Sequence, residues 1–553
     1  MRVELATETT GTDGERQVPP PFAGEVAPDN GMRLRLVDAE TAERHLAAAL
    51  IRPGARGAFR VPASSGGPAG VHTSAPSESQ TSEDVVVADP PERSDERPWC
   101  VRRRAILIAV GVVAVVVTAA FPISTVMVLT TLCTFLYLVT IGNRLSLVRR
   151  SLRGDPSITV SAEEARSLDD DDLPVYTVLV PAYGEPAVMV GLIAALERID
   201  YPRDRLDIKL LLEADDAPTI EAALAVQSDL PVDVVLVPPG EPRTKPRALN
   251  YGMQFAEGEL VTIYDAEDHP DPLQLRRAVV AFRRVGPKYA CLQARLSFYG
   301  GQRNLLTKWF TTDYFTWFRL YLPGLSSMQA PIPLGGTSNH FRRDVLTAAG
   351  GWDPWNVTED AELGIRLQRT GHRVGVLDSV TMEEPNVDVV NWVKQRSRWY
   401  KGYLQTSLEL LRHPGDVVAD LGRRDSWRVA LFVGGTPLLA VLNLWFWGLS
   451  AFWFMTRASF VGDLFPGWTY YLALAAWALG NLSFIYIGLL TLRVVGRPEF
   501  LLSALLVPLY WLLMSIAALR AVVQLITQPS YWEKTEHGLF DPDDTPELAP
   551  HRP

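Results

Sequence analysis

Thirty-nine consecutive residues, 105–143, carry no charged side chain. That run constrains the chain more than any other feature. As a single helix at 1.5 Å per residue it would be about 58 Å long, nearly twice a bilayer's hydrocarbon core of about 30 Å. Pro122 lies near its middle, so two crossings joined by a tight turn fit better than one. Arg102, Arg103 and Arg104 precede the run, and Arg144, Arg149 and Arg150 follow it. Basic flanks at both ends place both ends on the cytoplasmic side. Two further charge-free runs come late, 429–456 and 464–492, between Arg423, Arg424 and Arg428 on one side and Arg493 and Arg497 on the other. These read as a second out-and-back pair. Ten of the 15 Trp follow position 390, as an interfacial aromatic belt requires. A last apolar run, 500–519, is long enough to span but is broken by Pro508 and followed by Arg520.

The rest of the chain is of two kinds. Residues 1–99 hold 11 Pro and 9 Gly with a single Trp, and no apolar stretch that would serve as a secretory signal. Such a segment buries too little apolar surface to offset its chain entropy, so it reads as a mostly disordered tail, with at most a short helix near Ala39–Ile51. From Pro174 to about Val380, short runs rich in Val, Leu and Ile (175–180, 209–213, 232–237, 260–265) alternate with segments of helical period such as 188–198 and 247–255. That alternation predicts a parallel sheet with right-handed crossovers, whose ligands bind at the carboxyl ends of the strands. A mean hydropathy of +0.06 over 553 residues is the average of these unlike parts. The net charge of −10 argues against a nucleic-acid partner. Cys100, Cys133 and Cys291, far apart, exclude a disulfide framework and a Cys-based zinc site.

The polar clusters fall at the predicted strand ends: Pro181-Ala182-Tyr183-Gly184-Glu185, Glu213-Ala214-Asp215-Asp216, Asp265-Ala266-Glu267-Asp268, and Thr358-Glu359-Asp360 at the start of a helical stretch. Each alone could be a helix cap, worth about 1 kcal/mol. Together they would gather several carboxylates on one sheet edge, where they repel unless a cation sits among them. Oxygen ligands with positions left open for phosphate point to Mg²⁺ or Mn²⁺. Lys245 opens a helix where phosphate oxygens are welcome. Beyond the domain, Gln395-Arg396-Ser397-Arg398-Trp399 sits on a stretch of helical period, 389–411, whose Trp392, Trp399 and Tyr400 suit a helix lying on a membrane surface. Trp faces hold sugar rings, and Arg holds diphosphate.

In this order, and framed by apolar helices, the strings PAYGE, EADD, YDAED, TED and QRSRW resemble the processive family 2 glycosyltransferases, which include the bacterial cellulose, hyaluronan and chitin synthases. The resemblance runs from about Arg104 to Gly538. It implies an α/β fold: a Rossmann-like nucleotide-sugar domain of the GT-A type inserted between transmembrane helices. By position, Tyr183, Glu185, Glu213 and Asp216 would line the uridine pocket and Lys245 would approach the diphosphate. Asp265 and Glu267 would hold the metal, although Asp268, one step on, leaves the second ligand open. Asp360 would be the general base with Glu359 beside it. Gln395, Arg398 and Trp399 would hold the diphosphate and the acceptor end, and GGTSNHF (335–341) would lie near the acceptor. EADD replaces the DDG of cellulose synthase, which places Glu213 and Asp216 less firmly. Near the end, Trp532, Thr535 and His537 resemble a gating loop that closes over nucleotide.

On this reading residues 1–99 are a cytoplasmic tail, 100–145 a transmembrane hairpin, 150–388 the transferase domain and 389–427 interfacial helices. Residues 428–495 form a second hairpin, 496–530 an interfacial or re-entrant segment, and 531–553 the gating-loop-like motif and tail. A cytoplasmic gating loop is what makes 500–526 re-entrant rather than a fifth span. The expected activity is inverting sugar transfer from a nucleotide sugar, with UDP the expected nucleotide, to a growing polysaccharide, coupled to export across the plasma membrane. Four spans leave a place for a second copy or an export partner. Two alternatives remain open: transfer of one sugar to a lipid carrier, and a transporter or scaffold that kept an inactive transferase domain.

Overall fold

The computed structural model describes residues 24–26, 34–36, 111–113, 115–465, 467–529 and 531. In the tail, β1 (Gly24–Val26) and β2 (Leu34–Leu36) pair antiparallel. The expected helix at 39–51, Cys100, and the loop residues Trp532, Thr535 and His537 lie outside the described residues.

The central domain is built on eight strands: β3 (Tyr176–Ala182), β4 (Leu206–Glu213), β5 (Val232–Val237), β6 (Leu260–Ile263), β7 (His269–Pro270), β8 (Tyr289–Phe298), β9 (Asn339–Arg342) and β10 (Arg373–Glu383). Their order is β5-β4-β3-β6-β9-β8-β10-β7. The first four are the predicted parallel set, buried along almost their whole length as apolar strands covered on both faces must be. The prediction of an all-parallel sheet needs correction, because β9 runs antiparallel to both β6 and β8, and β7 antiparallel to β10. Short polar β9, with its buried His340, carries no run that periodicity could detect. Its reversal matters. The residues just before it, Gly335–Ser338, arrive at the edge where β3, β4, β6 and β10 end.

The apolar runs become helices. Pro122–Arg153 is one 32-residue helix, and it outruns the predicted boundary at 145 by two turns. Upstream, 111–120 is helical except at the undescribed 114, and Phe121 breaks the two apart with a non-helical backbone (φ −134°, ψ 60°). Thr125 Oγ1 reaches back to the Val117 carbonyl at 3.5 Å across this bend, which falls where Pro122 predicts it. Gly435–Thr456 and Trp468–Val495 follow the sheet domain, and Val507–Thr527 closes the described helices. Among the described residues, four helices are long and apolar enough to cross a membrane. Their outward faces are apolar, with Leu129, Leu132 and Phe135 exposed on one and Leu474, Leu479 and Leu482 on another. An exposed apolar band of this extent is what lipid contact requires.

Close contacts seat the sheet domain on these helices. A Cβ on Gly324 would stand 2.6 Å from the Leu147 carbonyl, so backbone meets backbone there. Ser151 Oγ donates to Arg319 O at 3.1 Å, and the buried Arg295 guanidinium joins Asp155 and Ser157, just past that helix, to Asp378 of β10. Trp309 Nε1 donates to Ser503 O at 3.0 Å, and Thr316 meets Thr491 at the same distance.

The helix Val507–Thr527 lies alongside Val389–Leu410, the helix that carries QRSRW. Tyr510 packs on Trp392 with 5.2 Å between ring centroids, and Tyr400 Oη contacts Met514 Sδ at 3.2 Å. At its end, Lys401 Nζ donates to Tyr531 O and Gln405 Nε2 to Pro529 O at 2.9 Å. Both flanks of this helix therefore lie against the catalytic side. With the native cysteines replaced, Tyr531→Cys and the exposed Asp204→Cys should react with a membrane-impermeant thiol reagent in vesicles of the same orientation. Labelling in opposite orientations would show that the helix crosses.

Candidate active site

The carboxyl edge of the sheet opens into a cavity of about 540 Å³. Its lining includes Tyr183, Glu185, Glu213, Lys245, Asp265, Glu267, Glu359, Asp360, Gln395, Arg398 and Trp399, which are eleven of the twelve described residues expected at the site. Asp216 does not line it. Its carboxylate accepts from Thr219 N at 3.4 Å, capping the helix Ala217–Ala225, and from Gly184 N. Gly184 has φ 63°, a left-handed value that favours glycine, so Asp216 pins the turn that presents Tyr183 and Glu185. Glu213 lines the cavity but is held by both oxygens, at 2.9 and 2.7 Å, by Arg247 Nη2. Arg243 adds a cation to this end, donating to Tyr183 Oη at 3.0 Å and to Asp215 at 2.6 Å with its guanidinium carbon 5.4 Å from the Tyr183 ring centre.

At the centre, Lys245 Nζ binds Asp265 Oδ1 and donates to Gly336 O at 2.8 Å. A Cβ on Gly336 would stand 3.7 Å from Asp360 Oδ2 and 4.0 Å from Lys245 Nζ, which places base, lysine and loop together. Burial disfavours the Lys245 ammonium, but Asp265 and Glu359 outweigh that and hold it protonated well into the alkaline range. Glu359 and Asp360 open the helix Glu359–Arg369. Burial raises the proton affinity of both, their own repulsion adds to that of Glu359, and Lys245 and Arg398 oppose it.

The two candidates within YDAED are placed differently. Asp268 is buried away from the cavity, and its Oδ2 accepts from Asp265 N at 2.8 Å and from Thr337 Oγ1. It ties the strand end to the Gly335–Thr337 loop, while Glu267 faces the cavity. Among the described residues no three or more acidic, His or Cys side chains are grouped as a ready metal site. The donor chemistry nevertheless fits a hard cation. Burial and mutual repulsion among Asp265, Glu267, Asp268 and Glu383 push the Asp268 and Glu383 carboxyls far up, and Asp268 Oδ1 is buried with no hydrogen-bond partner.

On the far wall stands the helix Val389–Leu410, capped by Asp388, which accepts from Asn391 N at 2.8 Å. Gln395 Oε1 is buried there with no hydrogen-bond partner among the described residues. Several lining residues escape the sequence reading: Arg396, Asp313, Glu383, Arg243 and Arg144. For Arg396 a signal exists. Trp392, Arg396 and Trp399 are spaced i, i+4 and i+7, on one helix face. The Arg396 guanidinium lies 4.4 Å from the Trp399 ring centre and 5.7 Å from that of Trp392, and pairs with Asp313. Gly402 on the same helix abuts Thr358, whose Oγ1 would lie 2.2 Å from a Cβ there.

Residues 174–402 match the family model "Glycosyltransferase like family 2". Among similar curated proteins, the probable glycosyltransferase YdaM of Bacillus subtilis is 24% identical over 385 residues, covering 66% of this chain and 87% of its own. The beta-monoglucosyldiacylglycerol synthase of Synechocystis is 26% identical over 387 residues, covering 67% and 76%. Cellulose synthase 2 of Novacetimonas hansenii is 27% identical over 243 residues, 43% of this chain but 15% of that one. Residues 174–402 thus match a family 2 glycosyltransferase domain, and the α/β sheet they form is mixed.

A methyl group on Gly402 must push the Thr358-Glu359-Asp360 segment away from Arg398. Misplacement of about 1 Å costs on the order of 10²-fold in rate. Gly402→Ala should therefore lower turnover by about that factor, measured as nucleoside diphosphate release, with nucleotide binding retained. A Gly402→Ala enzyme at full speed would dissociate the two motifs.

Proposed function

We propose that this chain is an inverting, membrane-integrated hexosyltransferase that moves sugars from a nucleotide-sugar donor, with UDP the expected nucleotide, to a growing polysaccharide on the cytoplasmic face of the plasma membrane. The observation that supports it best is one cavity holding Lys245, Asp265 and Asp360 on the sheet edge and Gln395, Arg398 and Trp399 on the opposite helix. The Arg clusters flanking the apolar helices support a cytoplasmic position for the catalytic domain.

In the reaction, Asp360 accepts the proton of an acceptor hydroxyl as that oxygen bonds to the anomeric carbon from the face opposite the leaving group. The bond from that carbon to the diphosphate oxygen breaks through an oxocarbenium-like state. Lys245 and Arg398, both on the cavity wall, face the charge that develops on the nucleoside diphosphate. Asp265 and Glu267 would hold Mg²⁺ or Mn²⁺, which supplies further neutralisation of that diphosphate. Trp399 offers a ring face to the acceptor sugar, and Tyr183 with Arg243 frames the nucleoside end.

A second reading, transfer of one sugar to a lipid acceptor, is favoured by a specific observation. The alignment to a glucosyldiacylglycerol synthase spans 76% of that protein, whereas that to a cellulose synthase spans 15%. Sizing labelled product separates the two readings: a ladder means chain extension, a single glycolipid means one transfer.

Asp360→Asn should lower transfer by about 10²–10⁴-fold, the usual contribution of a positioned base, with donor affinity kept. Near-normal turnover would remove Asp360 from the role. Because burial raises the Asp360 carboxyl and the base works only unprotonated, the wild-type rate should fall with decreasing pH along a limb that begins above the ordinary carboxylate range. A pH profile of kcat flat down to pH 4.5 would contradict this. Glu267→Gln should weaken activation by Mg²⁺ or Mn²⁺, whereas Asp268→Asn should mainly lower the melting temperature. The reverse pattern would exchange the two roles.

A further inference from the structure

The cavity does not stop at the catalytic groups. Past Trp399 it continues among the apolar helices, lined by Tyr321, Phe432, Thr436, Trp511 and Met514, and its cation there is Arg144. Arg144 belongs to the helix Pro122–Arg153, and its guanidinium carbon lies 5.2 Å from the Trp511 ring centre, 5.6 Å from that of Tyr321 and 5.7 Å from that of Phe484. Those rings come from the helices Val507–Thr527 and Trp468–Val495 and from the segment Trp317–Tyr321. The nearby wall carboxylate, Asp313, is engaged by Arg396. Among the described residues Arg144 has no ion pair and lies against the three rings.

A guanidinium removed from water needs compensating charge, and ring faces attract it less strongly than an oxyanion held by two N–H groups. Here the ring faces orient the fork of N–H groups, and Arg144 is on the wall of an open cavity rather than sealed in a core. The surroundings are apolar and belong to three helices that are each long enough to cross a bilayer. An amphiphile would bring the apolar tail that these walls match.

We propose that the membrane-side end of the cavity is a lipid site in which Arg144 holds the phosphate of a membrane lipid whose chains lie against Phe432 and Trp511. The site sits on the acceptor side of Trp399, so its occupant meets the catalytic groups from the bilayer. The proposal rests on the reading of the cavity as a transferase site and holds for either length of product.

The test uses the full chain, purified in detergent with an equimolar mixture of phosphatidylglycerol and phosphatidylcholine and examined by native mass spectrometry. The wild type should retain one phosphatidylglycerol with at least a ten-fold preference over phosphatidylcholine. Arg144→Gln should lose that preference, and Arg144→Lys should keep part of it. Equal retention of the two lipids by the wild type, or an unchanged preference in Arg144→Gln, overturns the proposal. A wild-type arm covers misfolding of the variants: a short-chain dialkyl phosphate should displace the bound lipid at concentrations where inorganic phosphate does not. Displacement by inorganic phosphate at the same concentration would mean a simple anion site and would also overturn it. Failure of the transferase reading looks different: no nucleoside diphosphate is released from any donor in any lipid.

Discussion

Negative charge gathered on one sheet edge is the constraint to which the catalytic half of this molecule answers. Burial raises the proton affinity of Asp268 and Glu383, and the nearby Asp265 and Glu267 raise it further. Lys245 is the protein's own answer, bridging Asp265 to the Gly336 carbonyl from the first turn of its helix. One ammonium against this many acidic groups leaves the edge open to further positive charge, as the proposed metal and diphosphate site would need. That explains why the neighbouring groups are braced so tightly. Asp268 is spent on hydrogen bonds to Asp265 N and Thr337, and Asp216 on Gly184 N. These acids do not face the ligand space; they hold in place the backbone that does.

The fold reaches that arrangement by mixing strand directions. In a purely parallel sheet the residues before β9 would lie at the opposite edge, away from Asp265. Because β9 runs backward between β6 and β8, Gly335–Thr337 arrives beside Asp265 and Asp360 instead. Ser338 accepts a left-handed backbone (φ 55°) at this reversal, and its hydroxyl bonds Thr381 on β10 at 2.6 Å. The strain is local, and the sheet on either side fixes it.

Elements whose signal is periodicity or an end residue could be read from the chain directly. The four parallel strands, the helix beginning at Lys245, the helix opened by Glu359 and the helix Val389–Leu410 fall within a few residues of their predicted bounds. So does the bend at Phe121–Pro122. What stayed hidden has a common physical origin: it depends on partners distant in sequence. The different placement of Glu267 and Asp268 rests partly on Thr337, 69 residues away from Asp268. Glu213 gives no local sign that Arg247 will hold both its oxygens, and Glu383 none that it will face Asp265, because both facts arise from sheet order. Arg396 was legible in principle, since two Trp share its helix face, but the motif drew attention to Arg398 instead.

The helix Val389–Leu410 shows how the two halves act as one. Its Trp392–Trp399 face packs on Phe310 and Tyr510, its Gly402 admits Thr358 to backbone distance, and its buried Lys401 holds the carbonyls that end the neighbouring apolar helix. An ammonium at a helix C-terminus meets the negative end of the helix dipole, so Lys401 stabilises the end of Val507–Thr527 while fixing its position. A shift of that apolar helix would therefore be felt at Lys401, and through Gly402 at Thr358, two residues from Asp360. Asp360, the proposed base, is linked in this way to a helix with no chemistry of its own, through one lysine and one glycine that neither composition nor hydropathy distinguishes from their neighbours.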